Sequence, residues 1–582
     1  MNERAVILAE RSGRMRGRIA ALLDFFGIHP DELATCEIFD APPDGKIRVI
    51  ASSDEFAAVV RRLQAAPGLR DSWRERVHSA FVFRSGGSES MSEIAAALGG
   101  RGPVPLRPAD GVDWMVADAF PEYCGPMSGV AIRSRPGAAD EILPFGGSDR
   151  SATNLIVNDE GSALSKIDWH SVPVFLSTSR EIVDIDAELG TANFDVRDRP
   201  LSAVPLVLYM KWAFPDTGRR APEINGCVVL DDPLLKPRYG FVRFEELLNV
   251  MVRHDFSTNV AFIPWNWNRS DGNVARMFRE NLDRYSLSIH GCDHTGGEFG
   301  TPDAGLLVQK TKRAVDRMSR HMARTGVRHD RIMVFPQGVF SAPAMEVLQR
   351  FDFVAAVNTE IGGVGPGLPT VRIRDAWDVA IMAYSGFPLF SRRYPGHGIE
   401  NFAFDMMLGK PCLVVIHHDF CRDKYAALVD FIDRLNALNC PLSWRGLGEV
   451  ARRSFLRRGA SSGITDVDMF ANELRLENVS AGRKRFRVTR RACDPAAVET
   501  VRLGASQVSW GDSSQGLVFE AELEPGEVGT VTVSFRQLPA DRVVPSGARY
   551  ELKTMARRYL SEIRDNYVAT SKALSRVMAL VR

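Results

Sequence analysis

Two adjacent carboxylates and two histidines stand at spacings that suit metal-assisted hydrolysis. Asp231 and Asp232 follow a short apolar stretch, and Pro233 turns the chain so that the second acid can be re-aimed. His290 and His294 are four residues apart, so a single turn of backbone brings both imidazoles to one side. Two histidines and one carboxylate, with positions left open for water, form a common catalytic metal site. The pattern therefore predicts a divalent-metal site, beside which the other acid accepts a proton from water.

Two further pieces carry groups that such a reaction needs. A Gly/Pro turn, residues 334–338, follows one apolar stretch, and His417 and His418 follow another. Alternation along a strand sends only one of the two histidines into a pocket, where it can protonate a departing amine or alkoxide. Each piece taken singly also fits an ordinary turn or a solvated histidine. Their fixed order along the chain is what favours a catalytic site.

Aromatic residues offer a surface for a substrate. Trp265 and Trp267 alternate with Asn266 and Asn268 directly after a predicted strand. Paired indoles next to polar groups suit sugar rings, whose C–H faces pack on aromatics while their hydroxyls find hydrogen-bond partners. An ordinary amphipathic loop is the alternative, and Trp377 is a weaker candidate for the same role.

The elements that must position these groups alternate between strand and helix patterns. Strand patterns such as Cys227–Leu230 and Leu413–Ile416 alternate with helical ones such as Leu306–Thr325, which predicts a parallel sheet closed or nearly closed into a barrel. All the chemical pieces follow such strands, at the end where these folds usually place their active sites. We expect four segments: an N-terminal, flavodoxin-like α/β domain with a strand-rich second half (1–215), a (β/α) barrel (223–455), a β-sandwich (465–545) and a C-terminal helix (546–582).

Composition excludes several classes of protein. The 582 residues include 73 basic and 72 acidic ones, so the net charge of +1 gives no footprint for nucleic acid. The N-terminal residues lack a secretory signal pattern, and no apolar run reaches the ~20 residues that cross a bilayer. We therefore expect a cytoplasmic protein, whose eight cysteines are free thiols. The oligomeric state is not fixed by the sequence.

The ordered motifs resemble those of the polysaccharide deacetylase family with the NodB-homology domain, over about residues 223–455. Asp231-Asp232 matches the family's first motif, and the segment from His290 to His294 matches its HxxxH motif. The resemblance implies that Asp231 is the base and that Asp232, His290 and His294 bind a divalent cation, most simply zinc.

The remaining motifs match less closely and mark a divergent member. Residues 335–338 resemble the third motif, which implies that the Gln337 backbone N–H helps to hold an oxyanion, and residues 375–378 loosely resemble the fourth. His418 matches the general acid of the fifth motif, with His417 as the alternative. The family has an arginine that supports the base where this chain has Val334. The arginines that remain candidates for that role are Arg372, Arg374 and Arg392.

The resemblance implies a hydrolase that removes acetyl groups from an N- or O-acetylated carbohydrate, in the biosynthesis or modification of surface polysaccharide. Two alternatives stay open. One is a catalytically degenerate, glycan-binding relative, favoured by Val334 and Gln337. The other is a hydrolase of another small-molecule amide C–N bond, because the same metal-bound water would cleave it.

Overall fold

The N-terminal part of the chain builds one mixed sheet. The computed structural model describes residues 3–9, 13–31, 37–39, 45–85, 88–99, 106–109, 113–134, 140–144, 152–459, 463–538 and 547–571. The first sheet consists of β1 (Arg4–Leu8), β2 (Pro30–Asp31), β3 (Ile47–Ser52), β4 (Val77–Phe83), β5 (Arg107–Ala109), β6 (Asp113–Val116), β7 (Ala131–Arg133), β8 (Asp140–Pro144), β9 (Ala152–Val157), β10 (Gly161–Trp169) and β11 (Val172–Ser177). The helices of this part are α1 (Arg14–Phe25), α2 (Ser53–Ala65), α3 (Leu69–Arg76), α4 (Ser88–Gly99), α5 (Pro121–Cys124) and α6 (Pro200–Ala213).

The order of strands in this sheet is β2-β1-β3-β4-β11-β10-β9-β6-β7, with β8 also on β10 and β5 on β8. The strands from β2 to β11 in this order are parallel, and those that follow pair antiparallel. The strand-rich second half therefore completes the sheet that the first half begins. Whether this part is flavodoxin-like stays a prediction.

The central part is a parallel sheet that curls into a nearly closed barrel. Its strands are β12 (Ile224–Asp231), β15 (Thr258–Phe262), β16 (Tyr285–His290), β17 (Ile332–Val334), β18 (Ala355–Asn358), β19 (Leu389–Ser391), β20 (Cys412–Ile416) and β21 (Leu442–Trp444); β13 (Arg238–Tyr239) and β14 (Val242–Arg243) form a separate ribbon. The helices are α7 (Phe244–His254), α8 (Gly272–Glu280), α9 (Ala304–Thr325), α10 (Ala342–Gln349), α11 (Ile373–Trp377), α12 (Ile399–Leu408), α13 (Ala426–Asn436) and α14 (Leu447–Arg453).

The strand order explains how the barrel comes close to closing. Strands run β19-β18-β17-β16-β15-β12-β20, with β21 added beside the start of β12. Just after β19, Arg393 bridges to Val414 of β20 through two backbone hydrogen bonds to its neighbours. β12 is buried along its whole length and mostly apolar, as expected for a strand of a parallel sheet that is covered on both sides.

The C-terminal part contains two sheets and a helix. The strands are β22 (Leu456–Gly459), β23 (Thr465–Met469), β24 (Glu473–Glu477), β25 (Lys484–Arg491), β26 (Val498–Leu503), β27 (Ser506–Gln507), β28 (Trp510–Ser513), β29 (Gly516–Leu523) and β30 (Val528–Phe535). They form the sheets β22-β23-β25-β29-β28 and β24-β30-β26-β27, whose inward side chains belong to one hydrophobic cluster. The β-sandwich assignment and the four segment boundaries stay predictions.

A last helix, α15 (Ala548–Ile563), continues in a wider turn, Arg564–Val568. The predicted C-terminal helix extends to residue 582, and its part beyond residue 571 lies outside the described residues. None of the helices in the described part of the chain is long and apolar enough to span a membrane. The seven cysteines among the described residues are all free.

Candidate metal centre

The predicted chemical groups lie at one end of the barrel. β12 ends at Asp231 and the adjacent strands β15 and β16 run parallel to it, with β16 ending at His290. On its other side β12 pairs with β20, whose last residue, Ile416, lies opposite Leu230. Because the carboxyl ends of parallel strands meet at one rim, groups far apart in sequence converge there.

Asp232, His290 and His294 come together as a possible metal site. One ligand atom from each lies within 4.8 Å of the other two. The Oδ1 atom of Asp232 is 3.1 Å from Nε2 of His294 and 3.4 Å from Nε2 of His290. Asp232 and His294 have positive φ angles, +80° and +55°, a left-handed backbone conformation that is uncommon for residues other than glycine. The carboxylate and both imidazoles therefore face one point.

The donor set fits a cation. Oδ1 of Asp232 is buried and receives no well-aligned hydrogen bond from any described residue. The Nδ1–H of His290 donates to the Val334 carbonyl at 2.9 Å, which leaves the Nε2 lone pair directed at Asp232. Burial disfavours a charged ring, but Asp232 and Asp231 outweigh it and raise the pKa of His290. Positive charge is thus stabilised where a metal ion would bind.

The loop that carries His294 is held by a buried carboxylate. Glu298 accepts hydrogen bonds from the backbone N–H groups of Cys292 (2.8 Å), Asp293 (3.1 Å) and His294 (3.0 Å). Gly291 has a φ of +61°, and a Cβ there would collide with the Glu298 carboxylate and with the Pro336 ring. The sequence analysis did not identify Glu298, although an acid four residues after His294 in a Gly-rich loop suits this capping role.

Asp231 is locked by an arginine. The guanidinium of Arg392 donates two parallel hydrogen bonds of 2.7 Å to the two carboxylate oxygens, and both side chains are buried. Burial raises the pKa of a carboxyl, but Arg392 outweighs this and holds the pKa of Asp231 below its ordinary value. Of the three arginines considered, Arg374 instead pairs with Asp186 and Arg372 is exposed. Position 334 is a valine, and Arg392 is instead the arginine that pairs with Asp231.

Gln337 lies at the rim in a strained turn. It is exposed, its φ is +59°, and its side-chain oxygen accepts the backbone N–H of Gly297 at 3.3 Å. A left-handed conformation in a non-glycine residue costs free energy and tends to persist at functional sites. The turn at Gln337 therefore remains a candidate part of the functional site. The oxyanion role of the Gln337 backbone N–H stays a prediction.

The two adjacent histidines have different surroundings. His417 stacks on Tyr394 with ring centroids 6.0 Å apart, and it is one of the groups that lower the pKa of Asp231. His418 stacks on Phe241, and its Nε2 lies 3.5 Å from Oδ1 of Asp565. Both remain candidates for the general acid.

Asp565, in the turn that follows α15, is a residue that the sequence analysis missed. Its carboxylate accepts a hydrogen bond of 2.7 Å from the Tyr239 hydroxyl and also pairs with Arg564. Burial would raise its pKa, but His418, Arg564 and Tyr239 lower the pKa of Asp565 to about 2. Since Asp565 is 147 residues away from His418, no local pattern could reveal this contact.

The three tryptophans are not equivalent. The backbone N–H of Trp265 donates to the Cys292 carbonyl in the metal-site loop, and its ring meets Tyr559 of α15 edge-on. Trp267 is half-buried beneath the guanidinium of Arg320. Trp377 is only 1% exposed, so its indole presents no face to a ligand.

The comparisons with known proteins give partial similarities. No protein-family model matches the chain, and no curated protein matches it. Among solved structures it is similar to a CE4 family pseudoenzyme from Bacillus anthracis (12% identity, 40% of this chain and 67% of that chain, TM-score 0.26). It is also similar to the Xyl-CE4 domain of a multidomain xylanase from the hindgut metagenome of Trinervitermes trinervoides (12% identity, 39% of this chain and 89% of that chain, TM-score 0.24). A third similar structure is a family 4 acetyl xylan esterase from Clostridium thermocellum in complex with a cobalt ion (11% identity, 39% of this chain and 89% of that chain, TM-score 0.24). Because scores and identities are low, the chemistry has to be inferred from the site itself.

Proposed function

We propose that this protein is a metal-dependent hydrolase that removes acetyl groups from an N- or O-acetylated carbohydrate in the biosynthesis or modification of surface polysaccharide. The observation that carries the proposal is the convergence of Asp232, His290 and His294 on one point, beside the buried pair of Asp231 and Arg392. Three protein ligands that leave positions open are typical of catalytic rather than structural zinc sites.

The residues around this point can divide the work of hydrolysis. A divalent cation, most simply zinc, held by Asp232, His290 and His294 would lower the pKa of bound water and polarise a carbonyl. Asp231 accepts the proton of the attacking water, while Arg392 keeps its carboxylate ionised and oriented. The Gln337 backbone N–H is the proposed oxyanion donor, a kind of contact whose loss typically costs about 3 kcal/mol.

His418 is the proposed general acid, with His417 as the alternative. The Asp565 carboxylate lies 3.5 Å from Nε2 of His418 and orients this ring, and an imidazole is a common proton donor to a leaving group. Trp265 and Trp267 are the proposed sugar-contacting residues, and the position of Trp265 against the metal-site loop supports the first of these.

The test joins metal analysis to acetate release. Purified protein is assayed for bound metal and for acetate release from a panel of N- and O-acetylated sugars, with simple acetylated amides included. The variant His290→Ala/His294→Ala should lose both bound metal and turnover, while a cooperative thermal unfolding transition shows that it remains folded. The matched control His29→Ala/His254→Ala removes two imidazoles outside the site and should keep both. Full turnover in the first variant would refute the proposed site.

A second candidate function is a non-catalytic glycan-binding protein. Two contacts favour it: Arg392 already engages both oxygens of Asp231, and Asp565 faces Nε2 of His418. Bound metal with sugar binding, but without acetate release from any member of the panel, would select this function over hydrolysis.

A further inference from the structure

The outer face of the C-terminal helix is apolar. The exposed hydrophobic side chains on the outer face of α15 and its extension, here called the apolar stripe, are Leu552, Met555, Leu560, Ile563 and Tyr567; Tyr559, also partly exposed, packs against Trp265 instead. At about 100° per residue, they fall within roughly half of the helix circumference. Leu560 is 65% exposed and Ile563 49%. A contiguous stripe of this kind marks an interaction surface, unlike single scattered apolar residues.

The opposite face of the same helix is polar and fixes it to the barrel. The Tyr550 hydroxyl donates to Asp293 at 2.9 Å, beside the metal-site loop. Glu562 pairs with Lys236 at 2.5 Å and with Arg269. These contacts orient the helix with its ionic side inward, the reverse of a helix that belongs to a hydrophobic core.

The charges on the outer face have one sign. Arg549, Lys553 and Arg564 are exposed beside the apolar stripe, and no exposed residue between positions 547 and 571 is acidic. Of the three acids of this segment, Glu562 and Asp565 face the barrel, Asp565 also pairs with Arg564, and Glu551 is half-buried. The sequence from 572 to 582 adds three basic residues and no acidic one.

We propose that this face docks on an anionic lipid bilayer. An apolar stripe flanked by Lys and Arg is the pattern of helices that lie in the membrane interface, with the apolar side chains among the acyl chains and the cations at the headgroups. Docking through a second copy of the same face would set the exposed Arg549 and Lys553 against their equivalents, and among the described residues of the helix only the half-buried Glu551 is available to offset the repulsion. Charge complementarity therefore selects anionic lipid.

Docking in this way would bring the metal centre close to the membrane surface. The segment that carries the apolar stripe also carries Asp565 and Tyr550, which contact His418 and the loop residue Asp293. One face of this helix segment thus carries the apolar stripe, and its opposite face contacts the metal site. A substrate presented at a bilayer would reach the mouth of the barrel without leaving the surface.

The experiment is flotation of the full-length protein with vesicles of phosphatidylcholine alone and of phosphatidylcholine with phosphatidylglycerol. The protein should float with the anionic vesicles only, and added salt should weaken the association. Leu560→Asp/Ile563→Asp should reduce the association about tenfold or more. Lys553→Glu should reduce it on anionic vesicles.

The matched control is Val252→Asp/Leu282→Asp, which replaces two residues of 61% and 63% exposure elsewhere on the barrel and should float like the unchanged protein. Equal melting temperatures of both double variants exclude misfolding. Absence of flotation with anionic vesicles, or equal loss in both double variants, would overturn the proposal. So would a dimer seen by light scattering that Leu560→Asp/Ile563→Asp dissolves, since that result assigns the face to a second copy. None of these measurements depends on turnover.

Discussion

The pair of Asp231 and Arg392 illustrates what residue types alone can and cannot predict. The sequence identifies the acid pair through its position after an apolar strand, and it offers three arginines as partners. The sequence alone cannot single out Arg392. Its pairing with Asp231 depends on where the fold places the residue directly after β19. A contact over 161 positions has no local signature.

Arg392→Ala should destabilise the protein by about 3–5 kcal/mol, because it leaves a buried carboxylate without a partner. Chemical denaturation measures this change. Asp231→Ala/Arg392→Ala should recover part of the loss, since no charge then remains buried. Arg374→Ala, which removes a partly exposed ion pair with Asp186, should cost no more than about 1 kcal/mol. Equal effects of the two single variants would contradict the buried-pair argument.

Gly291→Ala should weaken metal binding more than folding. A Cβ at this position meets the Glu298 carboxylate, which holds the loop of His294 through three backbone N–H groups. Loss of such outer support typically lowers metal affinity 10- to 100-fold, which titration with a competing chelator measures. Gly272→Ala, where a Cβ meets nothing, is the control. Unchanged affinity in Gly291→Ala would show that the loop adapts.

At the level of elements, apolar runs predict the strands of the barrel well. The predicted Cys227–Leu230 and Leu413–Ile416 lie inside the observed β12 and β20, and Leu306–Thr325 lies inside α9. β19 was not predicted, because three residues after a Gly/Pro turn carry too little pattern. The helix after residue 546 was predicted, but its packing against the site was not, because contacts such as those of Tyr559 with Trp265 and of Tyr550 with Asp293 join residues far apart in the sequence.

Asp565→Asn should lower kcat about tenfold or more while KM and metal content change little. The substitution keeps the size of the side chain but removes the negative charge that faces Nε2 of His418, the proposed general acid. Steady-state kinetics on the best sugar of the panel separate kcat from KM. Asp433→Asn, which removes a carboxylate from His254 on the outside of the barrel, is the control and should change neither. A normal kcat in Asp565→Asn would remove His418 as the acid and favour His417.

At the scale of the whole molecule, the period-two patterns from about residue 465 predict a change from strand-helix alternation to short strands. It does not predict how closely the N-terminal part and the barrel pack together. Their buried side chains belong to one hydrophobic cluster, and Leu189 donates a backbone hydrogen bond to Val371 across the two parts. Apolar patterning shows which side chains are buried, but not which neighbouring element covers them.

Trp377→Ala tests this packing against the substrate role expected from the sequence. The indole meets Phe25, Phe194 and Phe404 edge-on, which joins α1 to the barrel. Removing it should cost about 3–5 kcal/mol in the free energy of unfolding, measured by denaturant titration, with KM unchanged under conditions where the protein stays folded. Trp265→Ala should show the opposite, a raised KM with a smaller loss of stability. Unchanged stability with a raised KM in Trp377→Ala would return this indole to the substrate surface.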